Sequence, residues 1–452
     1  MIDPDTYTIE DYLNQDFLCS CEKTHSVSVK KIVIEENALS KLADIITSFG
    51  YKKAFFLYDQ TTYPIAGQTI EQIMSKHKLF YSSYILPDKE PIADEKTLAD
   101  VLIHFDNTCD FMIAVGSGTL NDTCRFISYQ MNLDYSIIAT APSMDGFASN
   151  VAPLITNNMK VTYTAQVPVF ILGDLNILKE APLSMIAAGV GDILGKYTCL
   201  CDWQMAHIIN DEYHCQTLVS IVSKSIRSIV ENIDQIEKRD PKVIRHIMEG
   251  LILSGIAMSF AGNSRPASGS EHHISHYWEM MFLFENKKAI LHGTKVGIGT
   301  VAVLKAYELL LNKTIDFNKA REAISSFSQT DWENKMKRCY GKAWKDVVLL
   351  EKETGKNQPA SVIERLNKME HSFDLIKTAA NELPTADSIV SMLRKLHAPI
   401  KPSDVGIEDN VFLDSFNVAK ELRNRYGLLQ MLFDLGISEE IGIDVLDYFR
   451  RI

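Results

Sequence analysis

The sequence predicts an α/β fold: a mostly parallel sheet covered by helices in the N-terminal part, followed by an all-α C-terminal part. Two observations carry this. Up to about residue 172, short β-rich runs alternate with amphipathic stretches; beyond it the strand signal stops and apolar residues recur at helical spacing.

The first strand signal is VSVKKIVIEE (27–36), followed by the helical stretch NALSKLADIITSFG and the strand KKAFFLYD. A helical pattern from Pro64 to about Lys78 leads to a strand at 79–86, a helix at 95–105, the strand FMIAVG at 111–116 and the helix TLNDTCRFISYQ. Such alternation predicts a parallel sheet with both faces covered. The last strand is VPVFIL (167–172), and NILKEAPLS then combines turn residues with the change of period. This places a domain boundary near 175–182, giving an α/β domain of residues 1–178 and a helical domain of residues 179–452. Ser361 with Glu364 fits a capping box opening the helix VIERLNKME, and the charge-rich stretch 351–358 reads as a solvated loop.

Of 452 residues 46% are apolar, enough for one or two cores, and 46 Lys plus Arg against 58 Asp plus Glu leave a net charge of -12. That field repels phosphate backbones, so nucleic acid is not an expected partner. The apolar run at 251–262 is short of the roughly 20 residues of a membrane span, so no membrane insertion is expected. The acidic N-terminus and eight scattered cysteines point to a reducing, cytoplasmic setting.

Three segments carry candidate chemistry. In AVGSGTLND (114–122) a strand ends at Gly116 and a helix begins near Thr119, a turn whose backbone N–H groups suit a phosphate. Asn121 replaces the third glycine of the dinucleotide fingerprint, and the acid Asp59 ends an earlier strand, so this is not the ordinary Rossmann arrangement. A plain strand-to-helix turn would look the same. The loop IIATAPSMDGFASN (137–150) gathers Thr140, Ser143, Asp145 and Ser149 around Gly146; turn hydrogen bonding alone would use about two of the four polar side chains. The third set is Asp192, His272, His273, His276 and His292, where one carboxylate and two imidazoles suit Zn or Ni. His272 and His276 share a helix face. Either both ligate, or one ligates while the other handles protons; spacing leaves that open. Cys19-Ser-Cys21 with His25, and Cys199-Leu-Cys201, lack the second pair of a structural zinc site and read as core cysteines. Met280, Met281, Phe282 and Phe284 read as helix core, and there is no Walker A motif or G-x-S-x-G elbow.

VGSGTLND, TAPSMDGFASN, AAGVGDILGKYT, SGSEHHISH and HGTKVG, in this order between Cys19 and Val301, resemble the sn-glycerol-1-phosphate dehydrogenases, particularly the bacterial NAD(P)-dependent branch. These share a superfamily with glycerol dehydrogenase, iron-containing alcohol dehydrogenases and 3-dehydroquinate synthase. The resemblance implies a dehydroquinate synthase-like fold: a Rossmann-like α/β half and an all-α half. It makes Gly116, Ser117, Gly118, Thr119 and Leu120 the pyrophosphate turn and Thr140, Ser143 and Ser149 further cofactor contacts. Asp59 becomes the ribose partner, which favours NAD over NADP. Asp192, His272 and His292 match the ligands of a divalent metal, Zn2+ or Ni2+. Asp145 and His276 match substrate contacts beside Asp192, with His276 as the proton relay. The implied reaction is reversible reduction of dihydroxyacetone phosphate, a small phosphorylated three-carbon substrate, to sn-glycerol 1-phosphate. Ser117 and Thr294 depart from the commoner superfamily residues, Gly and Glu. Lys196 and Arg265 are candidates for a phosphate pocket, and base rates favour a homodimer. The alternatives are a glycerol or alcohol dehydrogenase acting on an unphosphorylated substrate, a lyase of the dehydroquinate synthase kind, and a non-catalytic homologue with a binding role.

Overall fold

The structure is a computed structural model that describes residue 4, residues 6–157 and residues 159–452. Backbone packing divides the chain into two compact units, Met1–Ile193 with Thr217–Ser264, and Leu194–Gln216 with Arg265–Ile452.

The first unit is built on six parallel strands: β1 (Lys31–Glu35), β2 (Lys53–Asp59), β3 (Phe80–Leu86), β4 (Phe111–Gly116), β5 (Asp134–Ala139) and β6 (Phe170–Asp174). Their spatial order is β1-β6-β5-β4-β2-β3. Phe55–Tyr58 and Phe111–Val115 are wholly buried, as a parallel sheet covered on both faces requires. From β2 the chain winds to β3 in one direction, then through β4, β5 and β6 in the other. The reversal lies between β2 and β4, and their carboxyl ends carry Asp59 and Gly116. In open α/β sheets a crevice for ligand forms at such a point.

An antiparallel hairpin, Val151–Thr156 with Met159–Thr164, was not anticipated. Its turn residue Asn157 has φ 52°, the left-handed region that asparagine tolerates, so an Asn-Asn turn signal was present in the sequence. The strands end at Asp174, whose carboxylate accepts from the N–H groups of Asn37, Leu39 and Asn176 at 3.0–3.2 Å. The helices Leu183–Leu194, Gln216–Val230 and Pro241–Ala261 follow. Among the described residues only Pro241–Ala261 is long and apolar enough to cross a membrane, and it is mostly buried. Pro241 at its first position and the Asp240 carboxylate, accepting from Lys242 N at 2.9 Å, start this helix.

Among its described residues the second unit is helical, with Lys196–Asn210, Ser270–Phe284, His292–Leu311 and Pro359–Asn381 its longest helices. Two expectations are corrected here. Ser361 does not cap a helix: the helix begins at Pro359, because proline's fixed φ suits the first turn and its missing N–H is not needed there. Nor is 351–358 a solvated loop. Residues 351–354 close the helix Trp344–Thr354, and Glu351, Lys356 and Asn357 are buried. Lys356 donates to the Arg423 carbonyl at 3.0 Å and pairs with Glu421 at 3.2 Å. Burial opposes the charge on Glu421, yet Lys420 and Lys356 hold its carboxyl down at about 2.

Candidate active site

In the first unit β4 ends at Gly116 and the helix Gly118–Gln130 starts two residues later, which gathers Gly116, Ser117, Gly118, Thr119 and Leu120 at a helix N-terminus. A Cβ at position 118 would meet nothing nearer than Met144 Cγ at 3.7 Å. Neither packing nor a positive φ therefore demands glycine there. Ser117 Oγ lies 2.5 Å from Ser143 Oγ, and Thr140 N donates to the Gly116 carbonyl at 3.0 Å, so the predicted pyrophosphate turn and the 140–149 loop are tied together. Thr140, Ser143, Asp145 and Ser149 are all buried. Leu57 pairs with Ala114 across β2 and β4, and each strand runs on two more residues, to Asp59 and to Gly116. Asp59 Oδ1 accepts from Thr61 N at 2.8 Å and Thr62 N at 2.7 Å, an Asx turn that leaves the second carboxylate oxygen for other use.

What holds this loop was not legible in the sequence. Arg125, wholly buried, donates from Nε to Tyr135 Oη at 2.6 Å and from Nη1 to Asp122 at 2.9 Å and the Val151 carbonyl at 3.0 Å. Its Nη2 donates to the carbonyls of Gly146 and Phe147. Ser254 Oγ donates to Asp145 Oδ2 at 2.9 Å, and Asp145 N donates to Asp192 Oδ2 at 3.0 Å, so two predicted site carboxylates share one local network. Asp192 is on the helix Leu183–Leu194, which approaches the loop backbone to backbone: a Cβ on Gly189 would sit 2.0 Å from the Pro142 carbonyl oxygen. We expect Gly189→Ala to cost about 3 kcal/mol, the upper end of the overpacking range, since a backbone carbonyl must move rather than a side-chain tip. Denaturant titration of the variant checks this, and a cost below about 1 kcal/mol would contradict it.

In the second unit His272, His276 and His292 converge. Ring centroids are 5.2 Å apart for His272 and His292, 5.7 Å for His276 and His292, and 6.1 Å for His272 and His276. A ring nitrogen of His272 and one of His292 lie within 4.8 Å of each other. His272 comes from Ser270–Phe284 and His292 opens His292–Leu311. A Cβ on Gly299 would meet the Glu271 carbonyl oxygen at 2.7 Å, so glycine lets these helices touch and fixes the two imidazoles relative to one another. Glu271, a residue the sequence reading passed over, is buried beside His272. Its Oε1 accepts from His272 Nδ1 and Gly269 N, each at 2.7 Å, and its Oε2 from Thr198 Oγ1 at 2.6 Å. Burial works against its charge, but these bonds, led by His272, hold the carboxyl below the usual range. A carboxylate only accepts, so His272 Nδ1 carries the hydrogen and Nε2 presents a lone pair.

His276 differs from its neighbours. Its side chain is 20% exposed, and its Nδ1 lies 3.7 Å from Glu279 Oε2, which Lys295 Nζ approaches to 3.2 Å. His273 points into another environment, where burial and then Arg423, Arg425, Lys356 and Arg265 push its pKa well down, leaving it neutral. Arg265 is paired with Glu212, donating from Nε at 2.6 Å, and donates to the Tyr426 carbonyl at 2.8 Å; Lys196 donates to the Ala267 carbonyl at 3.1 Å.

Residues 33–182 match the family described as iron-containing alcohol dehydrogenase. The chain is 32% identical over 436 residues to a protein of Geobacillus thermodenitrificans named glycerol-1-phosphate dehydrogenase (NAD(P)+), covering 96% of this chain and 99% of that one. The chain belongs to the glycerol-1-phosphate dehydrogenase family. A Bacillus subtilis protein of the same name is 36% identical over 350 residues, which covers 74% of this chain and 88% of the relative. The crystal structure of glycerol dehydrogenase from Schizosaccharomyces pombe shares the fold, with a TM-score of 0.57 at 15% identity, covering 93% of this chain and 91% of that one. NAD(P) and a metal ion fit this family of NAD(P)-dependent oxidoreductases, and the His272–His292 pair has the donor chemistry for the ion.

Proposed function

We propose that this chain catalyses the reversible NAD(P)H-linked reduction of dihydroxyacetone phosphate to sn-glycerol 1-phosphate, with a divalent cation held by Asp192, His272 and His292. The observation that carries this reading is the imidazole pair whose first member is locked by Glu271 into the tautomer a metal needs. The chain passes from Asp192 into the helical unit two residues later, at Leu194, so a carboxylate from the end of that helix is a natural third donor.

When bound, the dinucleotide supplies the hydride and the cation, Zn2+ or Ni2+, polarises the ketone oxygen. The N–H groups from Gly116 to Leu120 hold the pyrophosphate. Thr140, Ser143 and Ser149 line the nucleotide. Asp59 accepts hydrogen bonds from ribose hydroxyls and repels a 2'-phosphate, which favours NAD over NADP. Asp145, held by Ser254, accepts from a substrate hydroxyl and orients the three-carbon chain. His276, half-buried and partly open to solvent, exchanges the proton of the C2 oxygen with solvent.

The test is NADH oxidation by apo enzyme reloaded with Zn2+ or Ni2+ and offered dihydroxyacetone phosphate, dihydroxyacetone or glyceraldehyde 3-phosphate. Turnover of the first alone is expected. Equal turnover of dihydroxyacetone would favour an unphosphorylated substrate, and no turnover by metal-loaded protein would favour a binding role. Glu271→Gln keeps the shape but weakens the acceptor to His272, and we expect metal affinity to fall about 10- to 100-fold. Competition with a chelator measures this; an unchanged affinity would remove Glu271 from the site.

A further inference from the structure

We propose that Cys19, Cys21 and His25 bind one structural metal ion of the zinc type, distinct from the ion proposed for catalysis. The two short strands Phe17–Leu18 and Thr24–His25 pair antiparallel, Phe17 opposite His25 and Leu18 opposite Thr24. The loop between them is closed by Cys19 N donating to the Lys23 carbonyl and Glu22 N to the Cys19 carbonyl, both at 3.0 Å, with Glu22 at φ 65°. This knuckle brings both sulfurs and a ring nitrogen of His25 within 4.8 Å of one another, and Cys21 Sγ stands 3.3 Å from His25 Nε2. Tetrahedral zinc, with bonds of about 2.0–2.3 Å, sets its ligand atoms about 3.3–3.8 Å apart.

The histidine is prepared for this role. His25 Nδ1 lies 3.0 Å from the Phe260 carbonyl oxygen, which can only accept, so Nδ1 carries the hydrogen and Nε2 turns its lone pair toward Cys21. The Phe260 ring stacks on the imidazole at 5.5 Å, and His25 is wholly buried. An orienting carbonyl and an apolar shell around neutral imidazole are usual surroundings of a ligating histidine.

Cys19 Sγ also lies 3.3 Å from Thr217 Oγ1. Two thiols and one imidazole are the soft and borderline donors that select zinc over oxygen-seeking cations. The other Cys-x-Cys pair shows that spacing alone does not produce such a set: Cys199 Sγ meets the carbonyls of Lys196 and Pro266.

The test uses the full-length protein under reducing conditions, with metal counted by mass spectrometry and Co2+ as the optical probe. Wild type is expected to hold two ions per chain and, with Co2+, to show intense thiolate-to-metal charge transfer. His292→Ala is expected to keep that band with one ion fewer. Cys19→Ser and Cys21→Ser are expected to diminish it. Cobalt-loaded wild type without a thiolate band would overturn the proposal whatever the variants do, and would leave a sulfur-to-imidazole hydrogen bond as the role of Cys21. An undiminished band in Cys19→Ser would overturn the assignment of Cys19 as a ligand.

Discussion

His292→Ala is expected to lower kcat/KM for dihydroxyacetone phosphate by at least about 1,000-fold, with loss of tightly held metal. The proposed set has three protein donors, and two donors left behind hold a divalent ion poorly, so most of its stabilisation of developing negative charge disappears. That stabilisation amounts to several kcal/mol, and each 1.36 kcal/mol is about tenfold in rate. Folding is not expected to confound the result. His292 is the first residue of its helix and only partly buried, alanine is a good helix former, and the contact at Gly299 that seats this helix against Glu271 is untouched. Initial rates and metal content measured on the same preparation decide the matter. A variant keeping a full metal complement and more than about a tenth of wild-type activity would sink the assignment of His292 as a ligand.

The sheet was legible because each strand is a short run of apolar, β-branched or aromatic residues bounded by turns, and both faces of a parallel sheet are dry. The histidine trio was legible as a cluster, but its internal division was not: i and i+4 look alike on a helix face. Glu271 breaks that symmetry by binding His272 Nδ1, while His276 faces Glu279 from 3.7 Å. Charges at 351–358 misled for the opposite reason. The partners of Lys356 and Asn357, at Lys420 and Glu421, lie more than 60 residues away, and no local pattern marks a buried ionic network. A related limit applies to the Cys19–His25 hairpin: Cys-x-Cys spacing does not show which further donor the fold brings up, and here His25 Nε2 stands 3.3 Å from Cys21 Sγ. Arg125 was invisible because most of its acceptors are backbone carbonyls, which every residue possesses.

That last residue carries the largest expected effect on stability. Arg125→Met conserves the side-chain length inside the helix Gly118–Gln130 but removes every donor that joins it to the 146–151 backbone. The carbonyls of Gly146, Phe147 and Val151 lose their partner, and so does the Asp122 carboxylate. Removing one member of a buried ion pair costs about 3–5 kcal/mol, because the partner charge stays behind without compensation. The effect should depend on pH. Burial raises the Asp122 carboxyl to about 6, with Arg125 pulling the other way. A folded-state pKa above the unfolded value of about 3.9 means the native protein binds this proton more tightly, so the group's contribution to stability falls as pH rises through about 4 to 6. Without Arg125 the folded pKa moves higher still and the fall continues above pH 6. The gap between wild type and Arg125→Met is therefore expected to be wider at pH 8 than at pH 5. Denaturant midpoints at the two pH values measure it, and NADH affinity should weaken alongside, because the clamped loop carries Ser143 and Ser149. A loss under about 1 kcal/mol at both pH values would show that the loop keeps its shape without the arginine.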